Sequence, residues 1–201
     1  MSLLFKRVVD LVLAFFCMVA VLPLFFIIAI LIKLDSNGPI FFIQERVGKN
    51  GGLFKIFKFR SMVENAVEIK GDFLVEKDDI RITKVGKWLR KTSFDELPQL
   101  INIFKGDMSF VGPRPTLKYQ VEQYDEFQRR RLEVKPGVTG WAQINGRNEI
   151  PWTERIKLDV WYVDNCSFWL DLKILVRTFF VWLRKEGIYG DKDKFIIRKV
   201  D

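Results

Sequence analysis

The 201-residue chain contains no histidine. That excludes imidazole acid–base chemistry, phosphohistidine intermediates and most zinc sites. Cysteine is nearly absent as well. Cys17 lies inside an apolar run, Cys166 is far away, and no C-x-x-C spacing occurs, so neither a disulfide framework nor a metal cluster is suggested and a reducing, cytosolic setting is the natural one. Nothing resembles a Ser-His or Cys-His pair, so an enzyme built on this chain would most economically use a carboxylate nucleophile. There are no internal repeats, low-complexity tracts or obvious linkers, and the length fits one domain able to bury a core. Acidic residues are the minority. The 33 Lys and Arg against 25 Asp and Glu leave a formal net charge of +8, which points to anionic partners: nucleic acid, acidic lipid or a phosphorylated substrate.

Charge is also missing from Leu11 to Ile32. Roughly 20 apolar residues are what a helix needs to cross a bilayer. The run is too long for a signal-peptide core, and no small-residue cleavage site follows it. A simple spanning anchor is the main alternative. Against it, Pro23 sits mid-run, where it removes a helical hydrogen bond and predicts a kink or break. Each half is then about 11 residues, or roughly 16 Å, half the hydrocarbon thickness. Lys6 and Arg7 precede the run, and Lys33, Arg46, Lys49, Lys55 and Lys58 follow it, so both flanks favour the cytoplasmic side. A re-entrant helix-break-helix over residues 1–35, with a catalytic unit over 36–201, satisfies both ends.

Beyond that run, Ile40 to Arg60 alternates apolar and polar residues around Gly48-Lys49-Asn50-Gly51-Gly52, which predicts a β-hairpin. On its second strand Ile56, Lys58 and Arg60 share one face, a candidate phosphate-binding side or simply a solvated one. Tyr119 to Arg131 is charged and helix-forming, and Arg129-Arg130-Arg131 reads as a solvated helix end. Val85 to Lys91 and Phe168 to Lys185 mix aromatic with basic residues; the second has the composition of a helix lying among anionic headgroups, or of an ordinary helix packed on the core. The expected class is therefore α+β and mainly helical, with a small hairpin and amphipathic interfacial helices.

The chemistry concentrates in Ser93 to Pro115, SFDELPQLINIFKGDMSFVGPRP. Asp95-Glu96 stand at a predicted helix start, where unpaired N–H groups and the macrodipole favour negative charge. Arg114 lies between two prolines that preset its backbone, as a phosphate clamp would require. The structural alternative is Asp95 as N-cap, Pro98 in the first turn and a Ser93–Glu96 capping box, with Arg114 in a surface turn.

DELPQL, Asn102 and Lys105–Pro115 (KGDMSFVGPRP) resemble the signature of the bacterial sugar transferases, the monotopic polyprenyl-phosphate phosphoglycosyl transferases. So do KRVVD at Lys6–Asp10, KIFKFRSM at Lys55–Met62, PGVTGWAQINGRN at Pro136–Asn148 and LDVWYVDN at Leu158–Asn165. The matches run in order through essentially the whole chain. The resemblance implies a re-entrant, monotopic protein at the cytoplasmic face of the bacterial inner membrane. It implies transfer of a phosphosugar from a UDP-sugar to polyprenyl phosphate, giving UMP and a polyprenyl-diphosphate sugar by a ping-pong route with Asp95 as nucleophile. In this reading Arg114 binds phosphate, with Lys58 in the same cluster, and Mg²⁺ sits at Asp95. Glu96 assists the lipid phosphate or the metal. Gln143, Arg147 and Asp159 are substrate or scaffold contacts, although Pro136, Gly140 and Gly146 around them are equally consistent with a structural turn. Anionic headgroups are expected partners, nucleic acid is not, and a homodimer is compatible. GRNEIPW leans weakly towards an N-acetylated amino sugar, with hexose donors open. Two other classes compete: a membrane-anchored, non-catalytic module binding anionic lipid or nucleic acid, though no nucleic-acid motif is recognisable, and a Mg²⁺-dependent hydrolase releasing sugar phosphate to water.

Overall fold

A computed structural model of the protein describes residues 3–66, 79–146 and 149–184. It is mainly helical, with two small sheets. The first element, α1, is a 33-residue helix from Leu3 to Asp35, free of glycine and rich in Leu, Phe, Ala and Ile. The break expected at Pro23 does not interrupt it. Packing holds it on both sides of the proline: Val21 joins a cluster with Ala14, Leu100, Ile103 and Met108, while Leu24 and Phe25 join one with Ile28, Phe59 and Leu89. These contacts offset a helix penalty of about 3 kcal/mol.

Only one stripe of α1 is covered. Asp10, Ala14, Ile28 and Ile32 are buried and recur at helical spacing, whereas Phe15, Phe16, Val19, Phe26, Ile27 and Ile30 are exposed. By length and composition this helix could cross a membrane. Both of its ends are nevertheless tied to the same body. Near the start, Lys6 pairs with Asp171, Arg7 donates to the carbonyl oxygens of Ile103 (2.5 Å) and Phe104 (2.8 Å), and Asp10 accepts from Ser109 Oγ (3.0 Å). At the far end Asp35 accepts from the Val85 amide (2.8 Å).

The hairpin forms as read: β1 (Phe41–Val47) and β2 (Leu53–Phe59) are antiparallel, with Phe42 opposite Lys58 and Arg46 opposite Phe54. Asn50 and Gly51 adopt φ of 54° and 82° in the connecting turn. Since directly opposite residues share a face, Lys58 and Arg46 project from the same side of the sheet. Arg60, grouped with Lys58 by alternation, goes elsewhere. It lies past the end of β2 and donates to the carbonyls of Ser36 and Asn37 (2.6 Å each), closing the end of α1.

Helix α2 (Lys84–Thr92) is capped by Thr83, whose Oγ1 accepts from the Gly86 amide at 3.0 Å. A 3-10 turn, Phe94–Glu96, leads to α3 (Gln99–Lys105). Strand β3 (Ser109–Val111) pairs in parallel with β4 (Gly137–Thr139), a contact that the sequence pattern does not predict. Glycine is required where they meet, because a Cβ at Gly137 would lie 2.1 Å from the Gly112 nitrogen. Between the two strands, the stretch from Tyr119 to Arg131 is helical in short pieces, α4 (Lys118–Val121), α5 (Glu126–Arg129) and a 3-10 turn, Arg130–Leu132. The expectation of a solvated arginine run is corrected at Arg131. This residue is buried, and its partner lies 28 residues away at Asp159. The last described elements are α6 (Trp141–Ile144), α7 (Trp152–Asn165) and α8 (Phe168–Arg184). Helix α8 buries Asp171 and Ile174 and exposes Trp169, Val176, Phe179 and Phe180.

Candidate active site

Asp95 and Glu96 stand in the 3-10 turn rather than at the start of α3, which begins at Gln99 behind Pro98 without a side-chain cap. Ser93 closes α2 in a left-handed conformation (φ 57°) and makes no capping bond to the turn, so the capping-box alternative does not form. The tight turn instead aims two adjacent carboxylates at different surroundings.

Glu96 is saturated. Its Oε1 accepts from Lys58 Nζ at 2.8 Å and from Arg114 Nη2 at 2.5 Å, and its Oε2 accepts from Arg114 Nη1 at 3.3 Å. The Glu96 side chain is 12 % exposed, Lys58 18 % and Arg114 45 %. Burial opposes ionisation of Glu96, but Arg114 and Lys58 outweigh it and hold the carboxyl well below the usual carboxylate range. Lys58 itself is pushed down by burial, against the pull of Glu96.

Asp95 is the reverse case. Among the described residues its carboxylate makes no hydrogen bond or ion pair. Burial first, and the charge of Glu96 second, push it above the ordinary Asp value, and Lys58, Arg90 and Arg114 only partly pull it back. The result is one carboxylate holding the clamp in shape and a second left bare in a cationic field.

Four of the candidate residues, Lys58, Asp95, Glu96 and Arg114, therefore meet in one place. Asp159 is turned inward. Arg131 donates to its Oδ2 at 2.6 Å and also to the Arg114 carbonyl at 3.0 Å, so Asp159 reaches the site through the backbone of the clamp. Gln143 lies on α6, under the Gly112 end of β3. Both of its amide atoms are buried without a partner among the described residues, and a Cβ at Gly140 would lie 2.8 Å from its Oε1. Arg147 lies outside the described residues.

Three further cations were not read as site residues in the sequence. Arg90 on α2 acts on Asp95, and Arg46 on β1 and Arg155 on α7 both feel the charge of Arg114. Two signals were available. The β1–β2 register puts Arg46 on the Lys58 face, and Arg155 precedes Asp159 by one helical turn.

No group of three or more His, Cys, Asp or Glu side chains gathers to hold a metal among the described residues. Mg²⁺ does not need one. It keeps several waters and is commonly bound by one or two carboxylates plus substrate phosphates, which suits a desolvated carboxylate with no direct hydrogen bond or ion pair among the described residues, as Asp95 is.

The sequence model of the family described as "Bacterial sugar transferase" matches residues 1–185. The uncharacterized sugar transferase EpsL of Bacillus subtilis is 52% identical over 185 residues, covering 91% of this chain and 89% of EpsL. The exopolysaccharide production protein ExoY of Sinorhizobium fredii is 40% identical, covering 86% of this chain and 83% of ExoY. The undecaprenyl-phosphate galactose phosphotransferase of Salmonella typhimurium is 40% identical over 92% of this chain, which spans only 41% of that longer protein. The chain belongs to the bacterial sugar transferase family. The resemblance read from its motifs is borne out, and the protein is a transferase of that class.

Proposed function

We propose that this enzyme moves a phosphosugar from a UDP-sugar onto polyprenyl phosphate, such as undecaprenyl phosphate, in the first membrane step of glycoconjugate synthesis. One observation carries the reading: of two adjacent carboxylates, Glu96 is fully engaged by Lys58 and Arg114, while Asp95 is bare, desolvated and next to those same cations. The names of relatives such as the Salmonella phosphotransferase support the substrate classes.

Asp95 Oδ attacks the sugar-bearing phosphorus. The bridging P–O bond breaks, its electron pair leaves on UMP, and an aspartyl-phosphosugar remains. An oxygen of the lipid phosphate then attacks the same phosphorus, and the bond to Asp95 breaks to restore the carboxylate. The charges balance without a proton: a dianionic donor and a carboxylate become a monoanionic adduct and a UMP dianion, and the second step reverses that count. A site without histidine is sufficient for such an exchange. Glu96, held ionised by two cations, acts as the fixed counter-charge that shapes the Lys58–Arg114 clamp, and the fork of Arg114 is free to exchange carboxylate for phosphate oxygens. Mg²⁺ held by Asp95 would supply neutralisation of the diphosphate charge.

Residues 1–35 serve as the membrane element and the remainder as the catalytic unit. A helix that crossed the bilayer would part Lys6–Asp10 from Asp35, yet both ends of α1 are bonded to one body. That supports a monotopic protein on the cytoplasmic face of the inner membrane, with the bare side of α1 and the Trp169–Phe180 side of α8 in the lipid and its anionic headgroups.

The reading is tested by incubating the enzyme with UDP-sugar, Mg²⁺ and labelled UMP in the absence of lipid. Label should exchange into the donor with wild type and not with Asp95→Asn. Absence of exchange alongside normal lipid-linked product would mean direct transfer, and sugar phosphate released without acceptor would mean a hydrolase.

A further inference from the structure

The chain enters the Asp95 turn through Ser93, a residue other than glycine held at φ 57° and ψ 18°. A left-handed backbone of this kind persists only where its surroundings impose it. Part of that comes from the end of α2 itself. Thr92 Oγ1 donates to the carbonyls of Trp88 and Leu89 at 3.0 and 3.1 Å, and the Ser93 amide donates to the carbonyl of Arg90 at 3.3 Å. The Thr92 carbonyl, on the peptide that leads into Ser93, has a distant donor. It accepts from Trp182 Nε1 at 2.6 Å, across 90 residues of sequence.

The same indole also acts on the far side of Ser93. Its ring stacks on Phe94, with centroids 6.5 Å apart and planes inclined by 17°. Trp88 meets Phe94 edge to face at 5.5 Å, and Phe94 packs on the cluster of Ile28, Phe59 and Leu89. Trp182 therefore grips the chain immediately before and immediately after the left-handed residue. The next residue is Asp95.

Helix α8 gives that indole a fixed position. Asp171, Ile174, Thr178 and Trp182 follow one another at steps of three and four residues, which places them on one stripe. Along it, Asp171 pairs with Lys6 and accepts from Tyr162 Oη at 2.6 Å, Ile174 is fully buried, and the hydroxyls of Thr178 and Thr139 share a hydrogen bond of 2.7 Å. Trp169, Val176, Phe179 and Phe180 are exposed, away from this stripe.

We propose that Trp182 is a positioning residue for Asp95: its hydrogen bond to the Thr92 carbonyl and its stack on Phe94 hold Ser93 left-handed and so aim the adjoining carboxylate. The inference rests on the reading of Asp95 as nucleophile. Glu96 has Lys58 and Arg114 to hold it, whereas Asp95 makes no hydrogen bond or ion pair among the described residues. Loss of the brace should therefore fall on Asp95. An indole serving only as an interfacial anchor needs neither contact, because water and headgroups satisfy its N–H.

The test uses the full chain in nanodiscs with the UDP-sugar that it turns over, Mg²⁺ and labelled UMP, without polyprenyl phosphate, so that only the Asp95 half-reaction is read. Trp182→Phe keeps a ring for the stack and removes the donor; Trp182→Leu removes both. Exchange of label into the donor should slow about fivefold in the first, the scale of one net hydrogen bond, and more than about tenfold in the second. The KM for UDP-sugar should stay within about twofold of wild type. Trp169→Phe, the same substitution on the exposed side of α8, should exchange label at a rate within about twofold of wild type. Hydrogen–deuterium exchange of the peptide covering Thr92–Leu97 should quicken in both Trp182 variants, with peptides of α7 unchanged. A wild-type rate in Trp182→Leu, equal losses in Trp169→Phe and Trp182→Phe, or an unchanged Thr92–Leu97 peptide would overturn the brace. If that peptide loosens in the Trp182 variants but wild type exchanges no label, the nucleophile reading fails while the hold of Trp182 on the turn stands. If wild type exchanges label and the Trp182 variants match it, the brace fails and the nucleophile reading survives.

Discussion

Asp95 and Glu96 are neighbours of the same chemical kind, yet neutralising them should move stability in opposite directions. Asp95→Asn removes a desolvated charge that has no partner and that faces Glu96. The folded carboxyl titrates above the unfolded one, so ionisation costs the folded state. That cost is fully present above the folded pKa and vanishes below the unfolded value of about 3.9. The Asn variant should therefore be more stable than wild type at pH 7.5, by on the order of 1 kcal/mol, the scale of relieving functional strain. Its advantage should disappear near pH 4. Glu96→Gln strips the shared counter-ion from Lys58 and Arg114. Breaking a buried pair costs about 3–5 kcal/mol, but Arg114 is 45 % exposed and can be rehydrated, so about 2–3 kcal/mol is expected. Here the folded carboxyl lies well below the ordinary range. Its contribution is present above the unfolded value of about 4.3 and is lost only as the pH falls through the folded value. At roughly 2–4 °C per kcal/mol for a chain of this size, thermal unfolding in nanodiscs would read a rise of a few degrees for Asp95→Asn and a fall of about 5–10 °C for Glu96→Gln. Both should lose activity. An Asn variant less stable than wild type at pH 7.5, or a Gln variant melting with wild type, would refute the division of labour between them.

Arg114→Lys keeps the charge but cannot span both Glu96 oxygens, so turnover should fall more than tenfold, about 1.4 kcal/mol of barrier; a near-normal rate in a UMP-release assay would reduce Arg114 to a scaffold residue. Gly86→Ala would bring a Cβ to 2.0 Å from the Ser61 carbonyl and push α2, with Arg90, off the body; a loss of about 3 kcal/mol is expected, read as a drop in melting temperature. A cysteine at Ser2, in a Cys17→Ala, Cys166→Ala background, should be labelled by a membrane-impermeant maleimide only after the cells are permeabilised. Labelling of intact cells would mean that α1 crosses the membrane.

Local pattern made much of the architecture legible. Alternation around Gly48–Gly52 marked the hairpin, and the charge-free run from Leu11 to Ile32 marked α1. Motif resemblance grouped Lys58, Asp95, Glu96 and Arg114, which the fold brings together. What stayed hidden depends on partners distant in sequence. Nothing local distinguishes Asp95 from Glu96, because the difference is made by Lys58, 38 residues before Glu96, and Arg114, 18 residues after it. A run of three arginines reads as solvated until Asp159 arrives to bury one of them. Strand alternation placed Arg60 with Lys58, but β2 ends at Phe59 and the open carbonyls beyond α1 capture the guanidinium. Pro23 carries a local penalty that packing on both of its sides outweighs. The parallel β3–β4 contact is three residues long, too short for any periodicity, and is betrayed only by the glycines that let the strands touch.

As the nucleophile, Asp95 should become covalently charged with the phosphosugar during turnover. Intact-protein and peptide mass spectrometry of wild type quenched after exposure to UDP-sugar and Mg²⁺, with no polyprenyl phosphate present, tests it directly. The expected result is a mass increase equal to one phosphosugar, carried by the peptide containing Asp95, absent in Asp95→Asn and discharged when polyprenyl phosphate is added. An unmodified Asp95 peptide from enzyme that is turning over, or the same adduct on another residue, would contradict it.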